Sequence, residues 1–138
     1  MTQLPDKPSA VIRLAVDDLE KCEGDERYGI DMSEWHLPTY MNGKCMVCLA
    51  GAVMSQTLGF DLNDYSDPDF IDDINTRKKM FALNDFRTGH IAYALDRLGF
   101  NLPFEILARI DVAEYEDNPT QFKSDMRAMA DMLEAHGL

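Results

Sequence analysis

From Cys45 to Met54 the chain carries no charged residue, although 25 of its 138 residues are Asp or Glu and its formal net charge is -12. The run Cys45-Met46-Val47-Cys48-Leu49-Ala50-Gly51-Ala52-Val53-Met54 is apolar or small at every position. A helix that is apolar all round belongs inside a protein, so the run predicts a buried central helix. Gly51, flanked by two alanines, leaves one side without bulk and lets a neighbouring backbone approach. Asn42 supplies an N-cap, and Gly59 suits the left-handed position beyond the end.

The remaining chain supplies helices to wrap it. Pro8-Ser9 opens a pattern in which Ile12, Ala15, Val16, Leu19 and Cys22 share one face. Asp17, Asp18, Glu20 and Lys21 fall on the other, and Gly24 ends it. Residues 25 to 41 show little periodicity, and Pro38 forbids a long helix, so a loop is expected with at most a turn near Ser33-Trp35. Trp35 reads as the anchor of that loop. Asp67-Pro68 starts a short helix, by cap and first-turn proline. The longest helical pattern runs from Asn75 or Thr76 to Leu98 and places His90 on its apolar side. Gly89 within it suggests a close crossing with the Ala50-Gly51-Ala52 side. Leu58-Gly59-Phe60 and Leu98-Gly99-Phe100 read as glycine-terminated helix ends. Pro103 starts a helix with Phe104, Leu107 and Ile110 for the core. Asn118-Pro119-Thr120-Gln121 is a capped helix start, followed by Phe122, Met126, Met129 and Leu133 on one face. No segment alternates like a strand. The expected fold is all-α: one compact domain over residues 1–138, about five helices around the central one, with residues 1–7 a loose tail.

Hydrophobic residues make up 46% of the chain, enough for a core of its own. No apolar run is long enough to span a bilayer, and Met1 to Asp6 lacks the parts of a signal peptide, so a cytoplasmic protein is expected. Three cysteines, an odd and small number, fit that expectation. The acidity opposes direct contact with nucleic acid or anionic membranes and favours a basic protein partner.

Chemistry-bearing patterns are few. Cys45-x-x-Cys48 is half of a zinc site, which Cys22 and His36 would have to complete. At a helix start the same pair could be redox-active, but the preceding strand of thioredoxin-like folds is not expected. The preferred reading is that Cys22, Cys45 and Cys48 are buried free cysteines acting as small hydrophobes. Asp61, Asn63, Asp67, Asp69 and Asp72 approximate a calcium loop, but Ser66 stands where that loop needs glycine and no glutamate closes it. His90 and His136 have no partner pattern. There is no nucleophile elbow, phosphate-cradling glycine loop or zinc-protease motif. Neither catalytic residues nor a cofactor are indicated.

The block Gly43-Lys44-Cys45-Met46-Val47-Cys48-Leu49-Ala50-Gly51-Ala52-Val53-Met54, with Trp35 upstream and Ala82-Leu83-Asn84 and Arg87-Thr88-Gly89 downstream, resembles a pattern in small proteins of bacteriophages and prophages. That group has no assigned activity. The resemblance implies an accessory protein made inside a bacterial cell and carries over no catalytic residue. The expected function is non-enzymatic binding of a basic, host-encoded protein, through Asp64, Asp67, Asp69, Asp72, Asp73 and the Asp111–Asp117 segment, with Trp35 as the apolar alternative. DNA mimicry is its narrower form. The rival is a small zinc-binding protein.

Overall fold

The computed structural model describes residues 4–138, the side chains of Met41 and Asn42 apart. In chain order come α1 (Pro8–Glu23), β1 (Tyr28–Ile30), β2 (His36–Leu37), α2 (Thr39–Asn42), β3 (Cys45–Val47) and α3 (Leu49–Gln56). A single 3-10 turn (Pro68–Phe70) leads to α4 (Ile74–Arg87), α5 (Ile91–Arg97), α6 (Phe104–Leu107) and α7 (Pro119–Ala135). The domain is mostly helical, and it also holds a small mixed sheet. The all-α expectation is therefore corrected to α+β.

Helices α1 and α7 form as their caps and stripes dictate. Pro8 occupies the first turn of α1, and Ile12, Ala15, Val16, Leu19 and Cys22 are wholly buried against α3 and α7. Burying a Leu or Ile of this kind contributes about 1.5–3 kcal/mol. The Asn118 side chain accepts the Gln121 N–H at 3.0 Å, and Phe122, Met126, Met129 and Leu133 line the core. Asp18, placed on the solvent face by sequence, is wholly buried. Its spacing from Ala15 and Cys22, three and four residues, puts it on the apolar stripe. Of the loose tail expected over residues 1–7, residues 1–3 lie outside the described residues, and Leu4 is buried in the core.

The central helix is shorter than expected. Gly43, at φ 78°, closes α2 and turns the chain, so Asn42 ends a helix instead of capping one. Cys45 to Val47 then runs extended between two strands. It pairs with β1 in parallel, Tyr28 opposite Cys45 and Ile30 opposite Val47. It pairs with β2 antiparallel, His36 opposite Val47 and Leu37 opposite Met46. The half-exposed Met46 between buried Cys45 and Val47 shows the alternation of a strand. The loop expected over residues 25–41 thus contributes two strands and α2. Helix α3 starts after Cys48, whose Sγ accepts the Gly51 N–H at 3.4 Å.

Four other expectations are corrected. The long helix over residues 75–98 is two helices, because Gly89 adopts φ 83° and breaks it. Asp73, not Asn75 or Thr76, caps α4 through the Thr76 N–H. A Cβ on Gly89 would meet nothing within 4 Å, so Gly89 serves the turn and not a helix crossing. Phe104 is 77% exposed instead of buried. The glycine ends at Gly59 and Gly99 are as expected, at φ 75° and 86°.

Gly51 does face a close neighbour, and the neighbour is a loop carbonyl. A Cβ there would lie 1.7 Å from the Trp35 oxygen and 2.9 Å from its carbonyl carbon. Gly51→Ala should therefore cost about 3 kcal/mol, at the upper end of overpacking penalties, because backbone and not a flexible side chain must give way. A urea titration tests this, and an unchanged midpoint would show that the contact does not exist in solution.

Candidate functional site

The segments around α3 meet in a buried polar cluster. His36 on β2, Cys45 on β3, Tyr28 on β1 and Ser55 on α3 all point into it. His36 Nδ1 lies 2.9 Å from the Asp64 carbonyl oxygen. A carbonyl only accepts, so Nδ1 carries the proton and Nε2 is the acceptor. Nε2 stands 3.4 Å from Ser55 Oγ and 3.6 Å from Cys45 Sγ. Ser55 Oγ in turn lies 2.6 Å from the Tyr28 hydroxyl. Burial depresses the His36 pKa below 6.5, raises that of Tyr28, and pushes the Cys45 and Cys22 thiols up to about 11. At neutral pH the cluster is therefore uncharged. A serine facing an imidazole is a nucleophilic arrangement in form, but His36 is fully buried and Ser55 nearly so. The cluster forms a hydrogen-bonded seam that ties β1, β2 and α3 together.

The four residues considered for zinc are only partly assembled. Cys45 and His36 adjoin. Cys48 turns to the start of α3, and Cys22 accepts from Gln56 Nε2 at 3.5 Å. Among the described residues no three His, Cys, Asp or Glu side chains converge as they would around a metal ion. The reason is local: after the strand ends at Val47, Cys48 caps a helix and its thiol is drawn to the Gly51 N–H. His90 and His136 are both exposed, which corrects the core placement of His90. His90 Nδ1 lies 3.2 Å from Thr88 Oγ1, beside the Gly89 turn.

The acidic segment forms an exposed, tightly turned loop. Asp61 accepts the Asn63 N–H, Asp67 accepts the Asp69 N–H, and Asp73 accepts from Thr76. These side chains fold the loop instead of encircling an ion. Asp64, Asp69 and Asp72 are exposed. Among the described residues none of these six aspartates pairs with a basic side chain. The Asp111–Asp117 segment is held elsewhere, by Tyr115 donating to Glu23 of α1 and by the Ala113 N–H donating to Asp125 of α7.

Trp35 is half-buried and meets Phe81 of α4 edge to face, centroids 5.8 Å apart. It is the loop anchor expected, not an exposed docking residue. Tyr40, Tyr93 and Phe104 are exposed, and so are Tyr65 and Phe70, which sit within the acidic loop, 48% and 62% exposed, and contact each other edge to face at 6.2 Å. Their signal in sequence was only that two aromatics interrupt a run of aspartates. Comparison with protein-family models, curated proteins and solved structures found no match to this chain.

The seam makes stability pH-dependent. Because the folded pKa of His36 lies below its unfolded value, its contribution is whole above pH 6.5 and is lost as pH falls through the folded pKa. Asp18 acts in the opposite sense: burial raises its pKa above 3.8, so its ionised form disfavours folding. Of the two, His36 is the group whose ordinary value, 6.5, lies near neutral pH. The urea midpoint should fall between about pH 7.5 and about pH 5.5, and His36→Gln should flatten that slope. A wild-type midpoint that holds constant over this range would contradict a buried neutral imidazole.

Proposed function

We propose that this chain is a phage- or prophage-type accessory protein that acts without catalysis, by binding a basic host protein in the bacterial cytoplasm. The observation that carries the reading is the loop from Asp61 to Asp73. Among the described residues its six aspartates pair with no basic side chain, and two aromatic rings stand exposed among them. Exposed aromatic side chains within a charged surface are a feature of binding sites. The net charge of -12 sets the sign of the partner. No helix of the described residues is long and apolar enough to cross a membrane, which agrees with a partner met in water. The resemblance of the Gly43–Met54 block supports the phage context.

DNA mimicry is the narrower form: the loop carboxylates take the place of phosphates on a nucleic-acid-binding protein. Its main surface is the Asp61–Asp73 loop; Asp111, Glu114, Glu116 and Asp117 are exposed too, on a segment tied to α1 and α7 through Tyr115 and the Ala113 N–H. Asp61, Asp67 and Asp73 also fold the loop, so the charges free for a partner are best represented by Asp64, Asp69 and Asp72.

Changing Asp64, Asp69 and Asp72 together to Asn should leave the circular dichroism spectrum and urea midpoint unchanged. It should reduce capture of a basic partner from bacterial lysate by an order of magnitude or more at low salt. Capture by the wild type should also fall steeply as salt rises, since exposed charges are screened beyond about 8 Å at physiological ionic strength. A partner held equally well by the triple variant, or at high salt, would refute the electrostatic reading.

A further inference from the structure

We propose that the open pocket bounded by Phe60, Asp61, Asp64, Tyr65, Ser66 and Phe70 receives a single arginine side chain of the partner, its guanidinium against the aromatic rings and paired with the Asp64 carboxylate. This rests on the reading of the chain as a binder of basic proteins and names the group it recognises.

The pocket has a volume of about 430 Å³ and opens to solvent. Tyr65 and Phe70 stand at 85° to each other, so a flat group that stacks on one ring lies edge-on to the other. Asp64 uses its backbone, not its carboxylate, in the fold. Its N–H donates to the Asp61 carbonyl and its own carbonyl accepts from His36. Its side chain makes no hydrogen bond or ion pair among the described residues. Asp61 accepts the Asn63 N–H through Oδ1, which leaves Oδ2 to face a ligand.

The floor of the pocket is rigid. The Ser66 N–H donates to the His36 carbonyl at 3.1 Å, and Phe60 packs edge to face on the His36 ring at 6.3 Å. His36 thus holds three of the pocket's residues from inside the core. Such preorganisation lowers the ordering cost of binding.

The donor set selects the ligand. An anion is repelled. An apolar anchor would cover carboxylates without pairing them, which is costly. A lysine ammonium pairs with one carboxylate as a point charge. A guanidinium is planar, stacks on aromatic faces and donates in parallel to a carboxylate, so it uses both features of the pocket.

The test uses the whole chain with fluorescein-labelled hexa-arginine and hexa-lysine peptides, followed by anisotropy at low salt. Hexa-arginine should bind more tightly than hexa-lysine. Phe70→Ala and Tyr65→Leu should each weaken hexa-arginine by about two- to thirtyfold, the range of one cation–π contact, and change hexa-lysine less. Backbone amide shifts on adding N-acetylarginine amide should concentrate in residues 60–70, and the citrulline analogue should produce none. Equal binding of both peptides, unaffected by the ring substitutions, would overturn the arginine pocket and leave the basic-partner reading standing. Binding of neither peptide would overturn both. Unchanged urea midpoints for the two ring variants show that their effect is not a loss of fold.

Discussion

Helix α3 occupies its place only because residue 51 has no side chain. The Trp35 carbonyl stands where a Cβ would be. That contact draws the segment from β1 to β2 onto the helix, and several features depend on it. Trp35 can then reach Phe81 of α4, and His36, the next residue, turns inward toward Ser55 on the same helix. The imidazole carries the connection outward again, to the Asp64 carbonyl of the acidic loop. A buried glycine thus fixes, through three neighbours, the backbone of a surface loop. The links are satisfied: each polar side-chain atom of the seam has a partner, which a buried polar group requires.

Charge is distributed unevenly over this frame. The seam between α1 and α7 gathers basic residues. Arg13 pairs with Asp131 and Glu134, Lys123 with Glu20 and Glu23, and Arg127 with Asp17 and Glu20. Individually such exposed pairs add little to stability. Their consequence is allocation, since they engage basic side chains of a chain that has only 13 Lys and Arg against 25 acids. Among the described residues the carboxylates of the Asp61–Asp73 loop pair with none, and the one basic side chain bonded to the loop, Arg77, donates to the Ile71 carbonyl. Inside, Asp18 shows the other limit. Its Oδ2 accepts from Thr57 at 2.5 Å, while Oδ1 lacks a hydrogen bond and has only the Lys21 ammonium 3.6 Å away. Burial wins there, and the carboxyl pKa rises.

What was legible in the sequence followed from long periods and strong caps. The stripe from Ile12 to Cys22 spans three turns, and Asn118-Pro119-x-Gln121 satisfies specific N–H groups, so α1 and α7 could be placed closely. The sheet was not legible, because strands of two and three residues show no period and their pairing is set by residues up to 17 apart in the chain, as Tyr28 and Cys45 are. Val47 and Cys48 differ little in hydrophobicity, yet one ends a strand and the other caps a helix. Only the tertiary context separates them. His90 failed for a different reason: the helical period was right on both sides of it, but Gly89 resets the phase. For the candidate site, the aspartates were visible as composition, while the exposure of Tyr65 and Phe70 depends on turns that place them outward.

The packing of α1 on α7 has a consequence for how the chain is made. The buried face of the first helix is completed by the last, and more than 100 residues separate Arg13 from its partners there. Contacts of that span close late and slow the final step of folding. On the ribosome, α1 emerges with its Ile12 to Cys22 face covered at first by nothing and then chiefly by α3, with β1 and α4 beside it. It stays partly open until α7 leaves the exit tunnel. A nascent or truncated chain therefore displays an apolar stripe that the finished protein hides, which is the kind of surface that chaperones hold and proteases find.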